Sequence, residues 1–381
     1  MAEPLRTGLM RLLDGERADL RGARAALLTH PGAVLPDLTG SAEALARSPE
    51  VDLVALLGPE HGVRGSAPAG ATEESSVDEL TGLPVIETYG ARADTVAEAL
   101  ASRAVEVLFV DLQDVGCRCY TYPSTLRDVI RAAASADVRV VVLDRPNPVG
   151  GAVASGPPLE EGYGSFVGAV SVRLRHGMTI GELSALLAEG APIEVVPMVG
   201  WQRGERWTAT GLPWVPPSPN LPTTDAVSCY PGTVLVEGTN LSEGRGTPTP
   251  FTFMGAPWVD GRLGHAVRAL DLPGLLVRDT SVVPTAGKHA GGRCRGLALH
   301  VTDGVGFDPV ASAVAVIATA RLLYPDDFGW YGDPDDHGLL FIDKLAGGPL
   351  LRRAVDDGVD AAELAARFSA PAAPSGPLLY S

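Results

Sequence analysis

Four cysteines in 381 residues, Cys117, Cys119, Cys229 and Cys294, leave little room for metal or redox scaffolding. One C-x-C pair stands without a second close pair or an H-x₃₋₅-H beside it, so no zinc signature exists and buried free thiols are expected. Long apolar runs are also missing: nothing reaches the roughly 20 residues of a membrane span. The opening MAEPLRTGLMRLLDGERADLRG is broken by charges and has no secretory apolar core, so a soluble, cytoplasmic protein is expected. Basic residues are in deficit, 30 against 46 acidic, for a formal charge of -16. That field repels nucleic acid and anionic membranes, and neither is expected as a partner. A small anionic ligand stays possible, because local arginines dominate within a Debye length of about 8 Å.

Several motifs are absent too. There is no G-x-x-x-x-G-K-[ST], no G-x-G-x-x-G opening a helix after the first strand, no G-x-S-x-G elbow and no H-E-x-x-H. No nucleotide or other cofactor is called for.

What the chain does have is 45% hydrophobic residues, 45 Gly and 32 Pro, the composition of a globular body with many sharp turns. Apolar, β-branched runs recur at 24–30, 51–58, 83–90, 105–114, 138–146, 193–200 and 233–240, with helical stretches at 93–103, 124–136 and 179–189 between them. Such alternation predicts a Rossmann-like, mostly parallel sheet with helices on both faces. After Gly246 the pattern changes to a helix near 260–270, strands near 275–284 and 294–302, and a helix near 309–323. We therefore expect a Rossmann-like catalytic domain over 1–246 and a smaller C-terminal α/β domain over 247–381, with a cleft between them.

The strands run straight into polar residues: His30, then Glu60 and His61, then Asp111, Gln113 and Asp114, then Asp144, Arg145 and Asn147, then Glu237 and Asn240. Parallel strands would bring these ends to one rim, the usual ligand site of open α/β sheets. Glu60, in the glycine-framed GPEHGVRG turn, is the leading acid for hydrolysis by paired carboxylates, unless it merely caps a turn. Asp111 and Asp114 can serve substrate, cap a helix or fold the following loop, and Glu237 can serve as a second carboxylate or pair with Arg245. A metal-dependent hydrolase using Asp111, Asp114, Asp144 and His61 is one alternative. A non-catalytic amino-sugar-binding protein, using aromatic platforms such as Tyr120, Tyr122, Trp201, Trp214 and Trp258, is another. Arg64, Arg118, Arg145, Arg245 and Lys288 lie beside the acidic positions; each can fork onto a ligand carboxylate or pair with a neighbouring acid.

The segments LLTHPGAV, LVALLGPEHGVRGSAPAG, LPVIETYG, DLQDVGCRCYTYPSTL, VLDRPNPVGG, SFVG, VRLRHGMTIGEL, PPSPNLPT, YPGTVLVEGTNLSEGRGTPTPFTFMGAPW and FIDKLAG, in this order from about residue 22 to beyond 340, resemble those of the NamZ-type exo-β-N-acetylmuramidases. The resemblance implies a glycoside hydrolase that removes N-acetylmuramic acid from the non-reducing end of peptidoglycan fragments in cell-wall turnover. It also implies a Rossmann-like domain, a smaller C-terminal domain, a site in the cleft between them, and Glu60 as the catalytic glutamate of the GPEHG motif. On that reading Glu60 is the general acid, His61 positions it or the sugar, and Asp111, Asp114 or Glu237 supplies the second function. Arg64, Arg118, Arg145 and Arg245 become candidates for the lactyl carboxylate of muramic acid, with Gln113, Tyr120, Tyr122, Asn147, His176, Asn220 and Asn240 as polar lining. Cys117 and Cys119 depart from the Ala and Phe of the family's DVGARFYTY stretch.

Overall fold

A computed structural model describes residues 3–73 and 76–381. Six of the apolar runs form one sheet from strands β1 (Ala23–Thr29), β2 (Val51–Gly58), β3 (Val85–Glu87), β4 (Val107–Asp111), β5 (Arg139–Leu143) and, after a short ribbon of β6 (Ser155–Pro158) and β7 (Arg173–Arg175), β8 (Ile193–Val196). Their order is β3-β2-β1-β4-β5-β8, and every pairing is parallel. Both faces are covered, which is why the strands read as continuous apolar runs. Leu108, Val110, Val140 and Val142 point into one core with the helix Tyr122–Ser135. The alternate residues Val107, Phe109, Val141 and Leu143 point into another, with Leu9, Leu12 and Leu45.

The run at 233–240 is not a strand. Helix Thr224–Thr233 passes into a 3₁₀ turn, Val234–Gly238, and Val234, Leu235 and Val236 are buried in a helical layer instead. Gly232 lies so close to the start of helix Pro309–Leu323 that a Cβ would fall 1.8 Å from the Pro309 carbonyl oxygen. Glu237 therefore reaches the interior from a helical end rather than from the rim of the sheet. Strands β9 (Phe253–Ala256), β10 (Leu275–Val282) and β11 (Cys294–Val301) make a separate antiparallel sheet in the order β10-β11-β9, flanked by helices Gly261–Ala269 and Pro309–Leu323. Among the described residues no helix is long and apolar enough to cross a membrane.

The carboxyl end of β5 is tied to the far end of the chain. Asp144, fully buried, accepts from the Arg145 N–H (3.0 Å), the Gly181 N–H (2.8 Å), the Thr179 hydroxyl (2.8 Å) and the Tyr380 hydroxyl (2.5 Å). Thr179 and Glu182 form the capping box that starts helix Ile180–Leu187, and Glu182 also accepts from the Leu379 N–H and from Arg203. Position 181 must be glycine here, since a Cβ would lie 2.6 Å from the Asp144 carboxyl carbon.

Burial pushes the Asp144 carboxyl up to about 6, while the Tyr380 and Thr179 hydroxyls pull it back down. Because the folded value is the raised one, this group favours folding most at acid pH, and that contribution is lost as pH rises through about 6. Tyr380→Phe deletes a donor to the carboxylate and leaves the Met198 N–H without its acceptor. The expected result is a loss of about 1–3 kcal/mol in urea denaturation. The deficit against the parent should be larger at pH 7 than at pH 4, where Asp144 is protonated in both proteins.

Candidate active site

After β2 the chain turns sharply at Pro59–Gly62. His61 has φ 75° and Gly62 φ 81°, two successive left-handed residues closed by a Gly62 N–H to Pro59 carbonyl bond of 2.9 Å. A non-glycine residue in that region is strained. His61 is held there by three contacts: its N–H to Ala71 O (3.0 Å), its carbonyl from the Ala67 N–H (3.3 Å), and its Nδ1 at 3.0 Å from Ala67 O. A Cβ on Gly62 would lie 2.4 Å from the Glu73 side chain, which packs over this turn. Glu73 in turn accepts from the Arg64 N–H (3.1 Å) and from Ser66 N–H and hydroxyl (3.0 and 2.8 Å), closing the loop.

This loop holds the Glu60 side chain. Its Oε1 accepts the Gly70 N–H at 2.6 Å and its Oε2 accepts the Thr121 hydroxyl at 2.7 Å, with 8% of the residue exposed. Thr121 stands at the N-cap of helix Tyr122–Ser135 but gives that helix no side-chain cap; its hydroxyl serves Glu60 instead. The carboxyl group faces a cleft of about 310 Å³. One wall carries Glu60, His61, Tyr120 and Thr121; the other carries Tyr230, Glu237, Arg245 and Phe251. Such a volume is at the small end of ligand pockets. Tyr120 is buried here, its ring centroid 4.5 Å from that of Tyr122.

Glu237 binds Arg245 by one oxygen, Oε1, which accepts from Nε (2.9 Å) and Nη2 (2.7 Å). Its side chain keeps 19% of its surface open. Burial pushes the carboxyl up, Arg245 draws it down, and nearby Glu243 raises it again. Arg245 also lies 5.0 Å over the Phe251 ring.

The other expected site residues are placed elsewhere. Asp111 and Arg145 form a fully buried fork, Nε to Oδ1 at 2.5 Å and Nη2 to Oδ2 at 2.8 Å, inside the rim. Asp114 folds its own loop, accepting the Gly116 N–H at 2.6 Å with His176 Nε2 at 3.2 Å. Gln113 donates to the Asp114 and Pro146 carbonyls, both at 2.8 Å. Asn147 braces Met178 O and the Val149 N–H. Arg118 is buried and donates to the carbonyls of Pro157, Val172 and Leu345, making it a backbone clamp. Arg64 is engaged by Asp78 (2.6 and 2.7 Å) and Glu43 (2.7 Å). The Tyr122 hydroxyl donates to Pro217 O, and Asn240 bridges Asp327 O and the Gly329 N–H. Asn220 is half-buried in the Pro-rich connection, outside the cleft lining.

Among the described residues no group of three His, Cys, Asp or Glu side chains is arranged to hold a metal ion. Asp111, Asp114 and Asp144 each answer protein donors instead of converging. All four cysteines are free and buried, and Cys119 lies in the cleft wall, its thiol 3.3 Å from Leu345 O. Thr121, Tyr230, Phe251 and Phe341 in the cleft were not singled out by motif reading. Thr121 had one usable signal, a hydroxyl residue placed just before a helix beside two candidate tyrosines.

Two family models cover the chain: "Exo-beta-N-acetylmuramidase NamZ, N-terminal" over residues 25–225 and "Exo-beta-N-acetylmuramidase NamZ, C-terminal" over residues 228–373. The chain is 42% identical over 359 residues to the peptidoglycan β-N-acetylmuramidase NamZ of Bacillus subtilis (strain 168), covering 93% of this chain and 85% of that protein. It is also similar to a crystal structure of a DUF1343 family protein from Bacteroides fragilis NCTC 9343, with TM-score 0.82, 30% identity and 99% of each chain covered. A second DUF1343 protein of that organism shares the fold at TM-score 0.72 and 24% identity, over 96% of this chain and 94% of that one.

The division between answered and open charges is measurable. Arg145→Met strands the buried Asp111 carboxylate and should destabilise the protein by about 3–5 kcal/mol. Urea denaturation followed by circular dichroism checks it; a change within experimental error would mean that the fork does not hold the rim.

Proposed function

Because the chain belongs to the NamZ family of exo-β-N-acetylmuramidases, on both its halves, we propose that it releases N-acetylmuramic acid from the non-reducing end of peptidoglycan fragments, with Glu60 as the general acid. The observation that carries this reading is the Glu60 carboxyl itself: buried, oriented at both oxygens by Gly70 and Thr121, and turned to a cleft that a second carboxyl, Glu237, also lines. Glycoside hydrolysis asks for this pairing, one carboxyl to protonate the departing oxygen and one to assist at the anomeric centre. Asp111 and Asp114 are engaged inside the fold, which leaves Glu237 as the second group.

A cleft of about 310 Å³ suits one terminal sugar better than a continuous glycan, in keeping with exo action. Of the four candidate arginines Arg245, though paired with Glu237, is the one that lines the cleft, and so the one positioned to meet the lactyl carboxylate that separates muramic acid from N-acetylglucosamine.

Incubating the purified protein with MurNAc-GlcNAc should liberate free N-acetylmuramic acid, with EDTA leaving the rate unchanged, while a GlcNAc-terminated disaccharide stays intact. Glu60→Gln, isosteric and folded by circular dichroism, should lower kcat by about 10²- to 10⁴-fold. Full activity of that variant would remove Glu60 from the reaction.

A further inference from the structure

Resting on the reading above, in which Glu237 is the second carboxyl, a second network becomes meaningful. Glu237 approaches the cleft from a 3₁₀ turn, an element with few hydrogen bonds of its own to fix a side chain. Behind it stands a line of alternating charge. Arg245 grips Oε1 of Glu237, while Arg245 Nε lies 3.5 Å from Oε1 of Glu243 and Lys288 Nζ lies 2.9 Å from Oε2 of Glu243. Glu243 and Lys288 are almost fully enclosed, with 4% and 8% of their side chains exposed. Lys288 also donates to Val236 O (2.8 Å) and Thr239 O (2.9 Å), the backbone on either side of Glu237. Two of the ammonium's hydrogen bonds thus go to backbone, with Glu243 Oε2 in ion-pair contact beside them. The adjacent His289 ties the same segment through Nε2 to Asn240 O at 2.7 Å.

We infer that Glu243 and Lys288 are positioning residues of the glycosidase: acting through Arg245 and the 236–239 backbone, they hold Glu237 at the cleft wall and set the pH range in which it works. The groups that face Glu237 are Arg245, Glu243 and Lys288 from the C-terminal side, Tyr230 and Cys119 beside it, and Glu60 and His61 across the same cleft. The two inferred residues act on Glu237 with opposite sign. The charge on Lys288 favours its ionised form, and that on Glu243 opposes it. Loss of either also redirects Arg245 in the same sense: without Glu243 it turns wholly to Glu237, and without Lys288 it is drawn toward Glu243.

The test is the pH profile of kcat/KM on MurNAc-GlcNAc for the parent, K288M, K288R and E243Q. The limb governed by Glu237 should move to higher pH by about one pH unit in K288M and to lower pH by a similar amount in E243Q. K288R, which keeps the charge, should leave the limb at its parent position even where the rate falls. Whether the acidic or the alkaline limb moves identifies the form in which Glu237 acts. Unmoved limbs, or limbs that shift in one direction in both charge-removing variants, overturn the inference while leaving the muramidase reading intact. A parent that liberates no muramic acid overturns that reading and this role with it. Should K288M fail to fold, E243Q decides by itself, since its limb must move toward acid.

Discussion

Charge carried into the interior at the end of a parallel sheet must be answered there, and that requirement organises this molecule. An unpaired buried carboxylate costs several kcal/mol, so each acid at the ends of β4 and β5 has acquired a dedicated set of donors. Asp111 has the Arg145 fork, Asp114 the Gly116 N–H with His176 Nε2 3.2 Å away, and Asp144 two hydroxyls and two backbone amides. Once these are accounted for, the carboxyls that line the cleft are those of Glu60 and Glu237. Glu60 and Glu237 stand out because each is held firmly by one part of the protein while facing the cleft.

The two are held by different means. Glu60 depends on a loop whose geometry is costly in itself, with His61 and Gly62 both in the left-handed region. Strain of that kind persists only where surrounding contacts over-determine it, and His61 has three such contacts. Glu237 depends on charge, through Arg245, at the end of a helix that packs against the C-terminal helices. A cleft with one wall made by backbone strain and the other by ion pairs joins a geometrically rigid group to an electrostatically adjustable one.

Much of the sheet is legible in the sequence, because a strand buried on both faces must be apolar at every position and the helical stretches between strands force parallel pairing. The same logic misreads 233–240, since Val234, Leu235 and Val236 suit a buried helical turn as well as a strand, and short apolar runs do not tell the two apart. Glu60 is legible because glycines frame it. The arginines are not, because an arginine's role is decided by partners far away in the chain. Arg118 looks like a carboxylate receptor until Leu345 O arrives from 227 residues later, and Arg145 until it is seen to face Asp111. Lys288 and Glu243 belong to the same class: no local pattern announces a network whose members stand on opposite sides of β9 and β10 in the chain.

The tether between Tyr380 and Asp144 has a bearing on how the molecule is made. Ribosomes deliver β5 first, and the phenol that quiets its innermost acid is joined 236 residues after that acid. The isolated bridge between Ala154 and Ala372 likewise spans more than half of the chain. Vectorial synthesis thus passes through a long interval in which the carboxyl end of β5 lacks this donor.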